Sequence, residues 1–406
     1  MPLANFIPTA DDYLRYLPEI ILTVVGVVIM FLEAVGGERR KPALGWLAGA
    51  GLLAAIWGSV VALGVGGTGF QNMVIVDGFA TFFRILVLVI GLLTIVSSTQ
   101  YLDREKANAG EFHALLLFSI AGQCVMASAN ELIMVFIGLE ISSIASYILA
   151  GYLRDDRRNN ESALKYFLLG SFATAFLLYG VAWVYGLTGS TNLAEVRRVL
   201  MTPESAPNLV LMGTAAALMF VGFAFKVSAA PFQVWAPDVY QGAPAPVSAF
   251  MSTGPKAAAF AVFLRVFITA FGPIATRWEP FVWGSAIATM IVGNFAALTQ
   301  TNIKRLLAYS SIARAGCVST AACLSSSAAA FCRSFCFLSS SACLALRVLS
   351  KASEARLPAG VSYRVFSRSA PESAAGAAGA GTAGGGAAGS PASAVNEATV
   401  VAATTA

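Results

Sequence analysis

Residues 222–267 read GFAFKVSAAPFQVWAPDVYQGAPAPVSAFMSTGPKAAAFAVFLRVF. Two lysines stand inside this apolar stretch, and each lies near a proline: Lys226 precedes Pro231, and Lys256 follows Pro255. Proline lacks the N–H that a helix needs, so Pro231 should break the helix that carries Lys226. Broken helices at membrane depth are tolerated where they line a water-filled cavity, and they often mark ion sites. The stretch therefore predicts a transmembrane helical bundle with an ion pathway.

The composition of the whole chain supports this prediction. Of 406 residues, 57% are hydrophobic and 12% charged, with mean hydropathy +0.73, whereas an ordinary soluble domain is about 25% charged. A water-soluble globular fold is excluded, and continuous apolar runs argue against a strand barrel. We expect an all-α polytopic membrane protein. Spans of about 20 apolar residues, with a tenth beginning near Leu306, are predicted at 18–35, 44–65, 79–99, 112–129, 131–152, 163–187, 209–230, 247–271 and 281–299.

Basic residues favour one side of this bundle. Ten fall in the odd-numbered loops, and four (Arg15, Arg197, Arg198 and Arg277) fall on the other side. Because positive loops stay in the cytoplasm, we expect the odd-numbered loops to be cytoplasmic and the N-terminus to lie outside. The loop 186–208 is expected to hold an amphipathic surface helix. The net charge of +5 comes from short clusters between apolar runs, so it indicates a lipid bilayer partner and no nucleic acid.

Five charged residues are candidates for the interior of the bilayer: Arg84, Glu140, Lys226, Lys256 and Arg265. Placing an ionised side chain at mid-membrane costs at least about 2.5–3.5 kcal/mol on insertion scales. Each of these residues is therefore expected to have either a charge partner or a functional role. Lysine can exchange its proton on burial, whereas arginine stays charged. Glu140, Lys226 and Lys256 are therefore candidate proton-carrying residues. The alternative is a purely structural ion pair between Glu140 and Lys226.

Other charged groups are expected to be structural. Arg84 should snorkel to the outer surface, Arg265 should have a structural role, and Glu131 and Lys165 fall at span ends. His113, the single histidine, opens the fourth span, where either a proton-uptake role or a plain interfacial position is possible.

No motif of a soluble active site is present. The sequence has no Walker loop and no GxGxxG opening a helix after a strand, and one histidine leaves no Ser-His-Asp triad. Five of six cysteines lie between Cys317 and Cys343, at spacings that fit no zinc, haem or iron–sulfur site. We expect no metal and no cofactor bound to this chain.

Composition changes after residue 316. From Pro371 to Ala406, 21 of 36 residues are Ala or Gly, which is typical of a disordered low-complexity segment. We therefore divide the chain into a transmembrane domain of about ten spans, 1–316, and an aberrant low-complexity tail, 317–406.

Together with 222–267, four further motifs resemble the antiporter-like membrane subunits of respiratory complex I, and the match covers nearly all of 1–316. They are VDGFATFFR (76–84), ELIMVFIGLEISSIASYIL (131–149), ESALKYFLLGSFATAFLLYG (161–180) and NFAALTQTNIKRLLAYSSIARAG (294–316). The resemblance implies two inverted repeats of five helices, with a broken seventh helix. The first repeat is complete over about 112–271, and the second is truncated.

The resemblance also implies roles for three residues. Glu140 matches the family's glutamate of helix 5, Lys226 the lysine of broken helix 7, and Lys256 the lysine of helix 8. Glu140 would modulate Lys226, which would accept a cytoplasmic proton, and Lys256 would pass it along the membrane. Arg314 stands where the family usually has histidine. The family's lysine of helix 12, expected on the exit side, has no counterpart in this chain.

The function implied is that of a membrane subunit of a proton-pumping NADH:quinone oxidoreductase in the bacterial inner membrane. Its partners would be the other membrane subunits of complex I and, indirectly, quinone. NADH, FMN, iron–sulfur clusters and quinone would bind to partner subunits. The alternatives are a subunit of a secondary cation/proton antiporter, or a non-pumping structural subunit. Neighbouring genes would distinguish the oxidoreductase subunit from the antiporter subunit, because they would encode either dehydrogenase or antiporter subunits.

We predict that the tail is a frameshifted translation of the family's second repeat. The motifs stop at AYSSIARAG, cysteines follow at once, and the last residues lack any periodicity. Another frame of the coding DNA after codon 316 should then encode further apolar spans, one of them with a mid-span lysine near a helix-breaking residue. Resequencing the gene checks this, and absence of such spans in both other frames would make the tail a genuine product. If the tail is frameshifted, the 406-residue chain lacks the exit half of the proton path, and we expect that it cannot pump protons.

Overall fold

The computed structural model describes residues 8–36, 41–202 and 208–323. Within these ranges the fold is an α-helical bundle with one two-stranded hairpin, β1 (Gly67–Gly69) and β2 (Val74–Val76), paired antiparallel. The helices are α1 (Ala10–Arg15), α2 (Leu17–Gly36), α3 (Lys41–Val65), α4 (Gly78–Glu105), α5 (Ala109–Ser128), α6 (Leu132–Ala150), α7 (Arg157–Thr188), α8 (Leu193–Met201), α9 (Leu209–Val227), α10 (Trp235–Gly242), α11 (Ala245–Leu264), α12 (Ala275–Leu298) and α13 (Ile303–Cys323).

Nine helices of the described ranges are long and apolar enough to cross a membrane, which confirms the all-α polytopic prediction. Each coincides with a predicted span, although α7 is longer than expected because it begins at Arg157. The α11 helix continues into a π-helical segment, Arg265–Ala270, and a short 3-10 turn, Gly272–Ile274, leads into α12. A tenth long helix, α13, continues through Gly316 to Cys323. The remainder of the proposed tail lies outside the described residues.

The predicted surface helix in the loop 186–208 is α8. Its buried residues Leu193, Val196 and Leu200 share one face at helical spacing. Asn192 caps this helix by accepting hydrogen bonds from the N–H groups of Ala194 and Glu195. The helix therefore lies with its apolar face against the bundle.

The break next to Lys226 occurs earlier than the sequence predicts. The α9 helix ends at Val227 because Ser228 adopts a left-handed conformation (φ 62°). After this break α10 begins at Trp235, and the N–H of Ala230 donates to Thr289 Oγ1 of α12 at 2.7 Å. Hydrogen bonds from α12 thus satisfy backbone groups that the break exposes.

The second proline acts differently from the first. Pro255 lies inside α11, and this helix runs without interruption from Ala245 to Leu264. The expected weakening of the helix before Lys256 therefore produces no break there. Lys226 stands at a helix end, whereas Lys256 stands within a continuous helix.

Small residues bring α5 and α6 into backbone contact. A Cβ added at Gly122 would lie 2.6 Å from the backbone N of Ser142 and 2.7 Å from the carbonyl O of Gly138. A Cβ at Gly138 would in turn lie 3.0 Å from the carbonyl O of Gly122. Such close approach through small residues is common between membrane helices. It fixes the position of α6, which carries Glu140.

We predict that Gly122→Ala destabilises the bundle. The new methyl group would meet backbone atoms that cannot rotate away, so α5 and α6 must separate at a cost of about 1–3 kcal/mol. Unfolding of the purified protein in mixed detergent, followed by circular dichroism, measures the change.

Gly186→Ala is the matched control. Gly186 also lies in a membrane helix, α7, but a Cβ there would meet nothing within 4 Å. We expect it to be neutral or slightly stabilising, because alanine favours the helix. Equal stability of the two variants would mean that the contact between α5 and α6 is not tight.

Candidate functional site

Lys226 lies in the last turn of α9 and is buried, with 3% of its surface exposed. Its Nζ donates hydrogen bonds to Ser143 Oγ of α6 at 2.8 Å and to Tyr166 Oη of α7 at 3.3 Å. The same Nζ lies 5.6 Å from the centroid of the Tyr166 ring. Three helices therefore meet at this ammonium group, and its hydrogen-bond partners are neutral hydroxyls.

Aromatic rings enclose this group on the side of the helix break. Tyr166 stacks on Trp235 with ring centroids 4.6 Å apart, and Trp235 stacks on Phe225 at 5.1 Å. Trp235 also donates from Nε1 to the carbonyl of Phe225 at 3.0 Å, which ties the start of α10 to the end of α9. Stacked rings of this size exclude water and fix the direction of the lysine side chain.

Glu140 lies on α6, one turn before Ser143, and it makes no ion pair with Lys226 within 4.0 Å. Its carboxylate acts on Lys226 through an electrostatic interaction without a hydrogen bond. Its Oε1 is buried and has no hydrogen-bond partner among the described residues. The structural ion pair that was the alternative prediction is therefore not formed. Beyond 4 Å the attraction is below about 4 kcal/mol at an effective dielectric constant of 20.

Lys256 lies in the middle of α11 and is also buried, with 5% exposure. Its Nζ donates to Ser311 Oγ of α13 at 2.8 Å and lies 5.7 Å from the centroid of the Tyr240 ring. Tyr240 in turn donates its hydroxyl to the carbonyl of Met251 at 3.1 Å. This site repeats the first one, because a serine hydroxyl and a tyrosine ring again surround a lysine.

A cluster of buried polar side chains, which the sequence prediction missed, lies between α5 and α6. Ser119 Oγ lies 3.2 Å from Ser142 Oγ and 3.1 Å from Ser146 Oγ, and Gln123 Nε2 donates to Ser119 at 3.3 Å. We call Ser119, Gln123, Ser142 and Ser146 the serine–glutamine cluster. The motif ISSIAS (141–146) is its signal in the sequence, since serines are uncommon in an otherwise apolar span.

The serine–glutamine cluster lies next to both lysine sites. Ser142 directly precedes Ser143, the partner of Lys226. On the other side, a Cβ at Gly254 would lie 2.8 Å from Gln123 Oε1, and Gly254 stands two residues before Lys256. Gln123 Oε1 has no hydrogen-bond partner within the described ranges. The cluster therefore provides polar atoms between the two lysines.

The prediction that Arg84 snorkels outward is wrong. Arg84 is fully buried, and its Nη2 lies 2.6 Å from Oε1 of Glu19 on α2, which is itself 2% exposed. Nothing in the linear pattern singles out Glu19, because it lies near the start of its span. A charge pair at short range removes the need for Arg84 to reach the surface.

Arg265 has the structural role that the sequence predicted. It donates from Nη1 and Nη2 to the two carboxylate oxygens of Asp77 at 3.2 and 2.9 Å. Burial alone would raise the pKa of Asp77. Hydrogen bonds from Arg265 and from the N–H of Ala80 outweigh this effect, so the pKa of Asp77 lies below its ordinary value. The pair ties the start of α4 to the π-helical segment after α11.

His113 and Lys165 occupy different environments. His113 is buried against Gly45 of α3, and neither ring nitrogen has a hydrogen-bond partner among the described residues. Whether His113 takes part in proton uptake or is a plain interfacial residue stays a prediction. Lys165, as expected for a span end, is partly exposed and pairs with Glu161 and Asp238.

The described part of the chain contains no group of three or more His, Cys, Asp or Glu residues that could hold a metal ion. The chemistry available at the two lysine sites is proton exchange. Hydroxyl groups can accept a hydrogen bond from an ammonium or donate one to a neutral amine. Each lysine can thus change its protonation state without leaving its partners unsatisfied.

Known proteins are similar to this chain in sequence over most of its length. Residues 129–371 match the family described as "NADH:quinone oxidoreductase/Mrp antiporter, TM". NADH-quinone oxidoreductase subunit N 1 of Solibacter usitatus is 64% identical over 308 residues, covering 76% of this chain and 63% of its own length. Subunit N of Trichlorobacter lovleyi is 45% identical over 300 residues, covering 74% of this chain and 61% of its own.

A solved structure shows the same fold. Respiratory complex I from Thermus thermophilus with bound aureothin contains a chain that matches with a TM-score of 0.64 and 35% identity, covering 75% of this chain and 64% of that one. The present chain spans about three-fifths of the length of the curated relatives it matches. The resemblance that the motifs indicated is confirmed, and since the family match covers more than half of the sequence, the chain belongs to the NADH:quinone oxidoreductase/Mrp antiporter family of membrane proteins.

Proposed function

We propose that this chain is a membrane subunit of a proton-pumping NADH:quinone oxidoreductase, and that it carries protons on Glu140, Lys226 and Lys256. The observation that carries the proposal is the pair of buried lysines whose hydrogen bonds go to neutral hydroxyls. A lysine kept for stability alone would be expected to have a carboxylate in contact, as Arg84 and Arg265 have.

The proton is taken up by Lys226, and the carboxylate of Glu140 modulates this step. A change in the charge of Glu140, or in its distance from Nζ, alters the electrostatic energy of the ammonium by kilocalories per mole. Such a change is enough to load or release a proton, since about 1.4 kcal/mol corresponds to a factor of ten in occupancy. Glu140 therefore acts through its charge and does not need a direct hydrogen bond.

From Lys226 the proton passes to Lys256 by way of the serine–glutamine cluster. Ser143 receives a hydrogen bond from Lys226, and its neighbour Ser142 belongs to the cluster. Gln123 brings the cluster to Gly254, one half-turn from Lys256. Serine hydroxyls can donate and accept at the same time, which is the property that a proton path requires.

The setting of this relay is the cell inner membrane. The loops that contain the ten basic residues face the cytoplasm, and the N-terminus lies outside. The other membrane subunits of the complex are the partners. NADH, FMN, iron–sulfur clusters and quinone belong to partner subunits. The free energy of quinone reduction is therefore transmitted to this chain through contacts between subunits.

We predict that replacing the residue that matches Lys226 by alanine, in a full-length relative assembled into its complex, strongly reduces proton pumping. Because alanine cannot carry a proton, NADH-driven acidification of inverted vesicles should fall by at least about a hundredfold, the lower end of the effect of an acid–base group. A pH-sensitive dye reports the acidification, and native gels report assembly.

Lys165→Ala is the matched control. Lys165 is also a lysine of the bundle, but it is partly exposed and pairs with carboxylates at the surface. Its loss should leave pumping within about twofold of the parent, as expected for an exposed ion pair. Unchanged pumping per electron in the Lys226 variant would contradict the proposal and would favour a non-pumping structural subunit.

We also predict that Glu140 and Lys226 are energetically coupled. Glu140→Gln and Lys226→Met each disturb the same electrostatic interaction, so the double variant should lose less activity than the sum of the single losses. The expected coupling is at least about 0.5 kcal/mol, the lower limit for interacting residues. Pumping rates of the four proteins give this value. Strict additivity would show that Glu140 acts on another partner, and Glu140→Gln combined with Lys165→Met serves as the additive reference.

A further inference from the structure

Two cavities lie on either side of the short segment that joins α10 to α11. The first, about 980 Å³ in volume, is open at the side that carries Lys106, Arg154 and Arg158. We call it the vestibule. Its wall also includes the acidic residues Glu105 and Asp156, among other polar side chains. Its charged lining identifies it as a water-filled space.

The second cavity, about 490 Å³ in volume, lies deeper between α11 and α13 and contains Lys256. We call it the Lys256 cavity. Ser248 and Ser252 of α11 line it, together with Ser311 of α13, the hydrogen-bond partner of Lys256. Lys226 is not part of its lining. The Lys256 cavity therefore does not include Lys226.

Lys304 lines both cavities, and no other described residue does so. It stands in the first turn of α13, and its partly buried side chain donates from Nζ to the carbonyl of Ala243 at 3.0 Å and to that of Gln241 at 3.5 Å. These carbonyls belong to the segment after α10 that separates the two cavities. The side chain thus lies across the passage between them.

The α13 helix continues this line into the membrane. Lys304, Ser311 and Val318 recur every seven residues, two helical turns, so they share the face that borders the Lys256 cavity. Arg314, one turn beyond Ser311, lies on the same wall and is exposed. This helix face therefore carries polar side chains at Lys304 and Ser311, with Leu307 and Ala308 on the cavity wall between them.

We propose that Lys256 has its own access from the vestibule side, independent of Lys226, and that Lys304 closes this route by binding the carbonyls of Gln241 and Ala243. The proposal rests on the proposed function only in treating Lys256 as a proton carrier and the vestibule as cytoplasmic. When Lys304 leaves the two carbonyls, the vestibule and the Lys256 cavity become continuous, and water with its proton reaches Ser252 and Lys256.

Thiol labelling tests the route without any need for pumping. The full 406-residue chain, with its native cysteines replaced by serine, receives the reporter Ser252→Cys, which lies between Lys304 and Lys256 on the cavity wall. Inverted vesicles are treated with a membrane-impermeant cationic methanethiosulfonate, and the labelling rate is measured. With Lys304→Ala the rate should rise about tenfold, the factor expected when opening no longer breaks two ordinary hydrogen bonds.

Arg305→Ala is the matched control, because it removes the same positive charge one residue away. Arg305 lines neither cavity; it pairs with Asp238 at 3.0 Å and donates to the side-chain Oε1 of Gln241 at 3.3 Å, but not to the two carbonyls that Lys304 binds. Its loss should leave the labelling rate within about twofold, as for other exposed pairs. An equal rise of the labelling rate in both variants would mean that the rate depends only on the local positive charge that repels the cationic reagent. This result would overturn the proposal.

A second variant and labelling from the opposite side of the membrane complete the test. Lys304→Gln shortens the side chain and removes its charge, and it replaces Lys304→Ala if that variant does not accumulate in the membrane. Reagent added to right-side-out vesicles should not label Ser252→Cys. Labelling from that side only, or a rate that Lys304 variants leave unchanged, overturns the route. Neither outcome bears on Lys226, so failure here is distinct from failure of the proposed function, which the pumping assay reports.

Discussion

The fold depends on one constraint: a charged group inside the hydrocarbon region must find its polar partners within the protein. Four cations of the described bundle are buried, and each contacts a polar or acidic side chain of another element. Arg84 reaches Glu19 on α2, and Arg265 reaches Asp77 at the start of α4. Lys226 and Lys256 reach hydroxyl groups on α6, α7 and α13. Because these contacts join helices far apart in the chain, the same groups that are costly to bury also determine which helices are neighbours.

The kind of partner separates structural cations from those suited to transfer. Arginine stays charged, and a carboxylate in contact neutralises it permanently, which suits a fixed joint between helices. A lysine bound to serine and tyrosine hydroxyls keeps its hydrogen bonds in either protonation state. The division follows residue type without exception among these four side chains, and it explains why Glu140 remains outside ion-pair distance of Lys226. A close carboxylate would hold the proton in place.

Much of this could be predicted from sequence, because membrane spans depend on length and hydropathy alone. All nine long apolar helices, the helix break beside Lys226 and the surface helix α8 follow from local patterns. The errors share a different cause. The expectation that Arg84 snorkels failed because its partner Glu19 lies on another helix and is distant in sequence. Pro255 should weaken α11, yet tertiary packing keeps that helix continuous. Contacts between helices therefore account for Arg84 and Pro255, where the local pattern failed.

The hairpin of α12 and α13 connects the two lysine sites mechanically. From α12, Thr289 accepts a hydrogen bond from Ala230 in the break after Lys226. From α13, Ser311 accepts one from Lys256. The two helices touch through small residues, since a Cβ at Gly293 would lie 2.9 Å from the backbone N of Ala313, so one cannot slide without the other. A displacement of this hairpin would change the surroundings of both lysines together. A single packed element therefore contacts the surroundings of both lysines.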